Sequence, residues 1–384
     1  MGTAGVGALP IRLILGRVTY NGVMLDELTL DPEGPVLLVG GYGTVGAEVA
    51  RMAASVFPLA LTGRSPERGR VLAEELGAEL RVWDLADPTV FRARARAVVS
   101  LVNDPDDRVL RAAIGAAIPY VDITRWTSRL QRAATVTALL DTRAPVVLSS
   151  SWMGGVVGLV AAHLAAGLGG ADRVEVAIRW DMRDRAGSDS VEFIDRLGLD
   201  YEVVRGGQRT TIMPLTDVSR VRIGDSVTKV ARIDTPEQFT LPLALGVTTA
   251  ITRIGFSSAA STSALLTAKR LGLFRLARGE RFTGARRALL YSPGKGGTAR
   301  VRVDVEREGS SRTALITDPA GQAHLTAVGA FAALHRALGT DGAAARVGVN
   351  FPEQTPLPES VPAFLASMGV ELAITADAEA VSTA

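Results

Sequence analysis

The sequence predicts an α/β fold, with a doubly wound parallel sheet and a second α+β domain built on an open mixed sheet. Three observations lead to this prediction. From residue 35 to about 150, short apolar runs alternate with segments of helical spacing, which is typical of right-handed β-α-β units. A glycine-rich turn follows the first of these runs. After about residue 172 the segments alternate or are β-rich, which indicates a separate sheet.

The first domain begins after an N-terminal extension. This extension, residues 1–34, is expected to contain a hairpin because Asn21-Gly22 lies between two apolar runs. Segments of helical spacing separate the strands that follow. The predicted strands of the first domain are Val36–Val39, Leu59–Thr62, Leu80–Val82, Val98–Val102, Tyr120-Val121 and Pro145–Leu148.

The second domain combines strand patterns with one long apolar stretch. We expect the stretch from Pro242 to Leu276 to form one or two helices. Because exposing such a stretch to water is costly, it is expected in a dimer interface or in the core. Helical spacing returns at Ala323–Leu338. The predicted strands of this domain are Val174–Trp180, Leu199–Val204, Val218–Ile223 and Ala299–Glu306.

The composition excludes several classes of protein. The 384 residues are 47% apolar and 21% charged, which is typical of a globular chain. The 42 basic and 40 acidic side chains are interspersed, so no nucleic-acid-binding tail is predicted. The absence of cysteine excludes disulfides and thiolate catalysis, and the three histidines show no metal-ligand spacing, so no metal is expected. No signal peptide is recognised, and we expect a cytoplasmic protein.

One segment has the length of a membrane span. From Val146 to Ala171 the chain carries no Asp, Glu, Lys or Arg. This segment contains Ser149-Ser-Ser151 and His163, however, and it lies where a buried strand, a loop and a core helix are predicted. We therefore expect no membrane span.

The glycine-rich turn has the motif Gly-x-Gly-x-x-Gly between a predicted strand and a predicted helix, as in Rossmann domains that bind a dinucleotide. The sharp turn, the approach of the backbone to a pyrophosphate and the tight packing of the helix each leave no room for a Cβ atom. The helix then presents free N–H groups and its positive dipole end to the phosphates. The residues predicted to contact the cofactor here are Gly41, Tyr42, Gly43, Thr44, Val45 and Gly46.

The end of the second strand predicts which dinucleotide is bound. An acidic residue expected near this point would bind the ribose hydroxyls of NAD(H), but the sequence has Arg64 and Ser65 there, with Arg68 one turn further on. A guanidinium can bind a 2′-phosphate, so we expect NADP(H). Because ligands bind at the carboxyl ends of parallel strands, Asp84-Leu85 is expected beside the adenine and Asn103 near the nicotinamide ribose.

These residues resemble the saccharopine dehydrogenase-like oxidoreductases. The resemblance is carried by the glycine motif, by Thr62-Gly-Arg-Ser65, by Val99-Ser-Leu-Val-Asn-Asp-Pro105, by Pro119-Tyr-Val-Asp-Ile-Thr124 and by Arg346-Val-Gly-Val-Asn-Phe-Pro-Glu353. It implies that the C-terminal segment returns to the Rossmann domain. The expected domains are therefore 35–150 plus 325–384 for dinucleotide binding, and 151–324 for substrate binding and dimerisation. Hydride transfer at a carbon bonded to nitrogen is the chemistry that the family shares.

The chain departs from the family at Ser149–Gly155, where members commonly have a Pro-Gly turn. We expect this loop at the nicotinamide end, with Trp152 and Met153 as candidate substrate contacts, although Trp152 is equally well explained as a packed aromatic. Tyr120 and Asp122 are the candidate catalytic residues, because they lie at a strand end. Asp122 can instead hold its own loop.

Other candidate residues carry weaker signals. His163 is expected in the core or at an interface, and His324 and His335 have no better case for catalysis. Tyr291 and Lys295 flank a Pro-Gly turn that either reaches the cleft or is a simple hairpin turn.

The sequence thus predicts an NADPH-dependent reductase. Its expected substrate is a C=N or C=O bond of an amine- or amino-acid-derived small molecule, and a homodimer is its expected assembly. Two alternatives stay open. The absence of a convincing acid–base motif is consistent with a non-catalytic NADP-sensing or partner-binding protein. The apolar second domain is consistent with an enone reductase acting on an apolar substrate.

Overall fold

The computed structural model describes residues 19–20, 23–24, 26–184, 196–272, 294, 296–343 and 345–376. Near the N-terminus, β1 and β2 pair antiparallel, as the hairpin signal predicts. The first elements in chain order are β1 (Thr19–Tyr20), β2 (Val23–Met24), β3 (Glu27–Leu30), β4 (Val36–Val39), α1 (Thr44–Ala54), β5 (Leu59–Gly63), α2 (Arg70–Leu76), β6 (Glu79–Val82), β7 (Arg92–Ala95), β8 (Ala97–Ser100), α3 (Arg108–Gly115), β9 (Tyr120–Asp122), α4 (Thr127–Leu139) and β10 (Pro145–Leu148).

The elements of the second half continue in the same numbering. They are α5 (Val156–Leu168), β11 (Arg173–Trp180), β12 (Tyr201–Arg205), β13 (Gln208–Ile212), β14 (Ser219–Ile223), β15 (Ser226–Arg232), α6 (Glu237–Leu245), β16 (Thr249–Phe256), α7 (Ala259–Arg270), β17 (Ala299–Arg307), β18 (Ser310–Asp318), α8 (Gln322–Leu338), β19 (Gly348–Asn350), α9 (Val361–Ser367) and β20 (Glu371–Ala376). Short 3₁₀ helices lie at Pro66–Arg68, Pro352–Gln354 and Pro358–Ser360.

A parallel sheet of seven strands confirms the predicted Rossmann architecture. Its order is β19-β10-β9-β8-β4-β5-β6, and every neighbouring pair is parallel. The chain leaves β4 toward one edge through β5 and β6, and toward the other edge from β8 onward. The topological switch point therefore lies between β4 and β8, where ligands of such sheets bind.

Both faces of this sheet are covered because its strands are continuous apolar runs. Strand β4 is buried at all four residues, with alternate side chains pointing to opposite faces. Val36 and Leu38 pack with α1 and α8 in one core, whereas Leu37 and Val39 pack with α3 and α4 in the other. This packing holds the N-terminus of α1 beside the switch point.

The second sheet is mixed and also has seven strands, in the order β14-β15-β16-β11-β17-β18-β20. Strands β11 and β16 are parallel, and the other neighbours are antiparallel. Its core is completed by α5, whose side chains pack against β17 and β18. The predicted class, a Rossmann sheet plus an open mixed sheet, is therefore confirmed.

Two details differ from the sequence predictions. The stretch from Pro242 to Leu276 contains β16, a strand buried at all eight residues in the middle of the second sheet, and not only helices. A short apolar run does not distinguish a buried strand from a buried helix, and the Thr and Ile residues of β16 favour the strand. Strand β20 pairs with β18, so the described residues 371–376 belong to the second sheet and not to the Rossmann sheet.

The uncharged stretch from Val146 to Ala171 is divided between β10, a loop and α5, which has 13 residues. Within the described ranges, none of the helices has both the length and the apolar character that crossing a bilayer would require.

Candidate functional site

The turn between β4 and α1 has the geometry of a phosphate-binding loop. Gly40 has a φ of +86°, which L-residues with side chains rarely adopt. A Cβ atom on Gly46 would lie 2.1 Å from the Gly40 carbonyl oxygen, so the first turn of α1 packs against the loop only when this residue is glycine. Gly40 was not among the residues predicted to contact the cofactor, although its neighbours were.

The N-terminus of α1 is suited to bind an anion. Its N-cap, Gly43, provides no side-chain hydrogen bond, and the first turn carries no acidic residue. The exposed Thr44 and the half-buried Val45 begin the helix. The first N–H groups of such a helix and its dipole favour a phosphate.

Tyr42 connects the phosphate loop to the end of β5. Its hydroxyl accepts a hydrogen bond from the backbone N–H of Ser65 at 3.0 Å. Its ring lies against Gly63 and Gly69, because Cβ atoms added there would approach ring or hydroxyl atoms to 2.2 and 2.5 Å. Burial raises the pKa of the Tyr42 phenol, so the hydroxyl stays protonated. The loop and the strand end therefore form one surface.

Two arginines of this surface are available to a ligand. Arg64 and Arg68 are exposed, and neither is within ion-pair distance of a carboxylate in the described part of the chain. The nearest acidic residue in sequence is Glu67, also exposed, on the short helix Pro66–Arg68. The strand end itself carries no carboxylate.

The residues predicted farther along the edge lie at the expected strand ends. Asp84 follows β6, is half-buried, and accepts a hydrogen bond from the Ala86 N–H at 3.0 Å, which holds its own turn. Leu85 packs partly into the core below α3. Asn103 follows Val102, whose side chain lies against Gly40. Asn103 is therefore close to the phosphate loop at the switch point.

Tyr120 and Asp122 lie beneath this edge and are fully buried. The Tyr120 hydroxyl donates to Asp122 at 2.6 Å, and burial raises the pKa of Tyr120 well above its usual value. Asp122 also accepts from the backbone and the hydroxyl of Thr124, both at 2.9 Å. With no exposed surface, neither side chain can meet a ligand in this conformation. The geometry thus favours the structural alternative for Asp122.

Asp122 belongs to a buried ion-pair network centred on Arg125. The Arg125 guanidinium, with a side chain only 2% exposed, pairs with Asp122 at 2.7 Å and also with Asp107. Asp107 pairs in addition with Arg132 at 2.6 Å. The network connects the loop after β9 to the loop between β8 and α3, which begins at the switch point.

The loop Ser149–Gly155 is held in an unusual conformation. Met153, Gly154 and Gly155 have φ angles of +59°, +61° and +104°, three successive residues in the left-handed region. The Ser149 hydroxyl donates to the Gly154 carbonyl at 2.7 Å, which closes the loop. A Cβ atom on Gly154 would lie 2.4 Å from the backbone oxygen of Thr326 in α8. The glycines therefore let α8 approach the loop.

The two candidate substrate residues of this loop differ in exposure. Met153 is 7% exposed and packs into the core, whereas Trp152 is half-buried. The ring of Trp152 meets that of Trp180, at the end of β11, edge-on at 6.2 Å. This contact joins the loop after β10 of the Rossmann sheet to the end of β11 in the second sheet.

Two buried carboxyl groups behind this loop were not found from the sequence. Glu237 accepts from the backbone N–H of Trp152 at 3.1 Å and from the Thr252 hydroxyl at 2.8 Å. Glu353 accepts from the Thr240 hydroxyl at 2.6 Å. Burial raises the pKa of both, that of Glu353 to about 7. Acidic residues are rarely buried, and no spacing in the sequence signals that these two are.

His324, for which sequence reasoning found no good case, is held by a carboxylate. Its Nδ1 lies 2.8 Å from the carboxylate of Asp318, which is fully buried at the end of β18. This hydrogen bond raises the pKa of His324. Thr326, two residues further along α8, contacts the sulfur of Met153 at 3.6 Å, so the pair lies beside the loop Ser149–Gly155. Asp318 and His324 are six residues apart, a spacing that matches no catalytic motif. The turn between the end of β18 and the first residues of α8 brings the two side chains together.

Comparison with known proteins agrees with this architecture. The apo saccharopine dehydrogenase (L-Glu forming) of Saccharomyces cerevisiae matches 90% of this chain and 100% of its own, with a TM-score of 0.63 and 12% identity. The chain has a saccharopine dehydrogenase-like fold. At this identity the likeness concerns the fold alone. No protein-family model and no curated protein matches the sequence.

Two other solved structures match this chain with lower TM-scores. Scyllo-inositol dehydrogenase from Lactobacillus casei matches 91% of this chain and 99% of its own, at 12% identity and a TM-score of 0.41. DAP dehydrogenase from C. glutamicum matches 85% and 96%, at 13% identity and a TM-score of 0.39. Neither score is high enough to support an argument about this chain.

In this saccharopine dehydrogenase-like fold, the predicted site residues separate into two groups. The glycine loop, Tyr42, the residues from Arg64 to Arg68, Asp84 and Asn103 share one edge of the parallel sheet. Tyr120, Asp122 and Met153 lie below the surface. Tyr291 and Lys295 are outside the described residues. The described residues contain no group of three or more His, Asp or Glu side chains that could hold a metal ion.

Proposed function

We propose that this protein is an oxidoreductase that binds a nicotinamide dinucleotide and prefers NADP(H) to NAD(H). The observation that carries the proposal is the single surface formed by the glycine loop, the N-terminus of α1 and the end of β5. On this surface the first turn of α1 would bind the pyrophosphate. Arg64, Arg68 and the Ser65 hydroxyl would bind the 2′-phosphate, where an NAD(H)-selective site would have a carboxylate.

The glycine loop supports a bound dinucleotide because the space it leaves is too small for a side chain. A Cβ atom at Gly46 would clash with backbone, and the first turn of α1 carries no acidic residue that would repel a phosphate. When bound, the reduced cofactor supplies a hydride. The chain's own residues orient the acceptor and exclude water, which are the usual contributions of a protein to this chemistry.

We propose a C=N or C=O bond of an amine- or amino-acid-derived small molecule as the acceptor. Reduction of an iminium carbon requires no proton on that carbon, whereas reduction of a ketone requires a proton donor for the developing alkoxide. His324, oriented by Asp318, is our candidate donor for the second reaction. A homodimer and a cytoplasmic location remain predictions that accompany this function.

Titration with both cofactors tests the cofactor preference. Wild-type protein is expected to bind NADPH more tightly than NADH, measured by the change in tryptophan fluorescence. Arg64→Ala is expected to weaken NADPH binding about tenfold or more, because it removes a charge-assisted contact, and to change NADH binding little. Arg220→Ala is the matched control, since Arg220 is equally exposed but lies on the second sheet. Tighter binding of NADH by the wild type would contradict the proposal.

A cofactor-binding protein without turnover is the second candidate, and the burial of Tyr120 and Asp122 favours it. Turnover separates the two functions. NADPH oxidation that depends on an added cyclic imine, such as 1-pyrroline, or on a 2-oxo acid mixed with an amine would establish a reductase. Binding of NADPH without oxidation across such a panel would favour the non-catalytic protein. His324→Gln is expected to lower turnover of ketones but not of imines.

A further inference from the structure

We propose that this protein has a second ligand site, a cavity beside α8 that binds a small amphipathic carboxylate, with an apolar chain and one acidic head. The cavity has a volume of about 960 Å³ and lies between α8, the end of β10 and the segment 340–368. None of the phosphate-loop residues, and neither Arg64 nor Asp84, lines it. It is therefore separate from the proposed dinucleotide site.

The walls of the cavity are mostly apolar. They include Val147 of β10, Leu159 of α5, Phe331 of α8, and Val361 and Phe364 of α9. Four elements, the strand β10 and the helices α5, α8 and α9, supply these side chains, so the cavity is formed by the fold and not by one loop. A cavity of this size with apolar walls and a few polar groups is typical of sites for small molecules.

The charged groups of the cavity select an anion. Arg346 is exposed and forms no ion pair with a described residue. Arg336 pairs with Asp341 at 2.5 Å, but its Nη1 atom is buried and forms no hydrogen bond within the described part of the chain. A buried donor without a partner is costly, and a ligand carboxylate would satisfy it.

The other polar side chains of the cavity do not cancel the positive charge of Arg346. Asp341 is already neutralised by Arg336. His335 accepts or donates one hydrogen bond with Thr340 at 2.7 Å, and burial lowers its pKa, so it adds no charge near neutral pH. The cavity thus has one net positive charge, on Arg346, and its remaining walls are mostly apolar. An amphipathic carboxylate matches both properties.

Binding of dodecanoate, measured by isothermal titration calorimetry at concentrations at which it does not form micelles, tests the proposal. We expect one molecule per chain, bound equally well with and without saturating NADPH. Arg346→Gln is expected to weaken dodecanoate binding about tenfold, the loss of one charge-assisted contact. The same variant should leave binding of dodecan-1-ol unchanged. Arg220→Gln serves as the control for the loss of a surface charge.

A second variant tests the location directly. Ala332→Trp, on α8 in the cavity wall, is expected to abolish binding of both probes while the cofactor affinity and the thermal midpoint stay close to those of the wild type. The proposal is wrong if dodecanoate does not bind, or if its binding is insensitive to both substitutions. It is also wrong if Ala332→Trp dissociates an oligomer without affecting probe binding, because this face would then be a subunit interface. None of these outcomes depends on the proposed oxidoreductase activity.

Discussion

The backbone N–H of Ser65 donates to the Tyr42 hydroxyl at 3.0 Å, and this hydrogen bond joins the phosphate loop to the strand end that carries Arg64. Twenty-three residues separate the two partners in sequence. Because Tyr42 also covers Gly63 and Gly69, the glycine loop and the arginines keep a fixed relative position. Binding of the pyrophosphate and of the 2′-phosphate should therefore be coupled.

Tyr42→Phe tests this coupling. The variant keeps the ring against the two glycines but removes the acceptor of the Ser65 N–H. We expect NADPH affinity to fall about threefold to tenfold, which corresponds to the loss of one hydrogen bond, with NADH affinity nearly unchanged. Fluorescence titration with both cofactors measures the two effects. Equal loss for NADPH and NADH would show that the bond supports the loop as a whole and not the arginine end.

Gly46→Ala tests the steric requirement of the phosphate loop. The added methyl group would lie 2.1 Å from a backbone oxygen, so the loop or α1 must shift. Overpacking of this kind costs about 1–3 kcal/mol, and we expect a lower thermal midpoint together with loss of dinucleotide binding. Gly115→Ala is the matched control, because a Cβ atom at this helical glycine meets nothing within 4 Å. The control should keep or slightly raise stability. Wild-type behaviour of Gly46→Ala would contradict the loop geometry.

Arg125→Met tests the buried network below the switch point. Removal of the guanidinium leaves Asp122 and Asp107 buried with fewer partners, and breaking a buried ion pair costs about 3–5 kcal/mol. Arg143→Met, which removes the exposed ion pair with Asp141, should cost much less, because solvent screens the attraction of an exposed pair. Urea unfolding of both variants measures the difference. Similar costs for the two would show that the network contributes no more than a surface pair.

Glu353→Gln tests the buried carboxyl group behind the loop Ser149–Gly155. The pKa of Glu353 is raised by burial to about 7 from 4.5, so the folded protein keeps a proton that the unfolded chain releases. Wild-type stability should therefore fall as the pH rises from about 4.5 to 7, by about 3 kcal/mol in total. The amide cannot ionise, so Glu353→Gln should gain in thermal midpoint relative to the wild type between pH 5 and pH 7.5. A constant difference across this range would contradict the raised pKa.

His324→Gln tests the hydrogen bond to Asp318. This bond raises the pKa of His324, so the stabilisation it gives is complete below the ordinary pKa of 6.5 and is lost as the pH rises through the raised value. The variant should lose more thermal stability at pH 6 than at pH 9. His335→Gln is the control, and its loss of stability should depend on pH in the opposite direction, because burial lowers the pKa of His335. It should lose more stability at pH 9 than at pH 6.

The sequence by itself determined the Rossmann sheet, the phosphate loop and the position of Arg64. These features depend on neighbours in the chain: apolar runs, glycines between a strand and a helix, and the first residues after a strand. The same local reasoning failed at β16, because a short buried run has no hydrophobic periodicity that distinguishes a strand from a helix. The strands paired on either side, β15 and β11, decide that this segment is a strand.

Only the tertiary structure decided which polar residues meet a ligand and which support the fold. Asp122 and Glu353 are both acidic residues that end or follow a strand, β9 and β19, yet both are buried, because residues distant in the chain cover them. The pairing of His324 with Asp318 and the assembly of the cavity beside α8 likewise depend on side chains from separate elements. Burial and pKa arise from contacts between segments remote in sequence, so local patterns cannot reveal them.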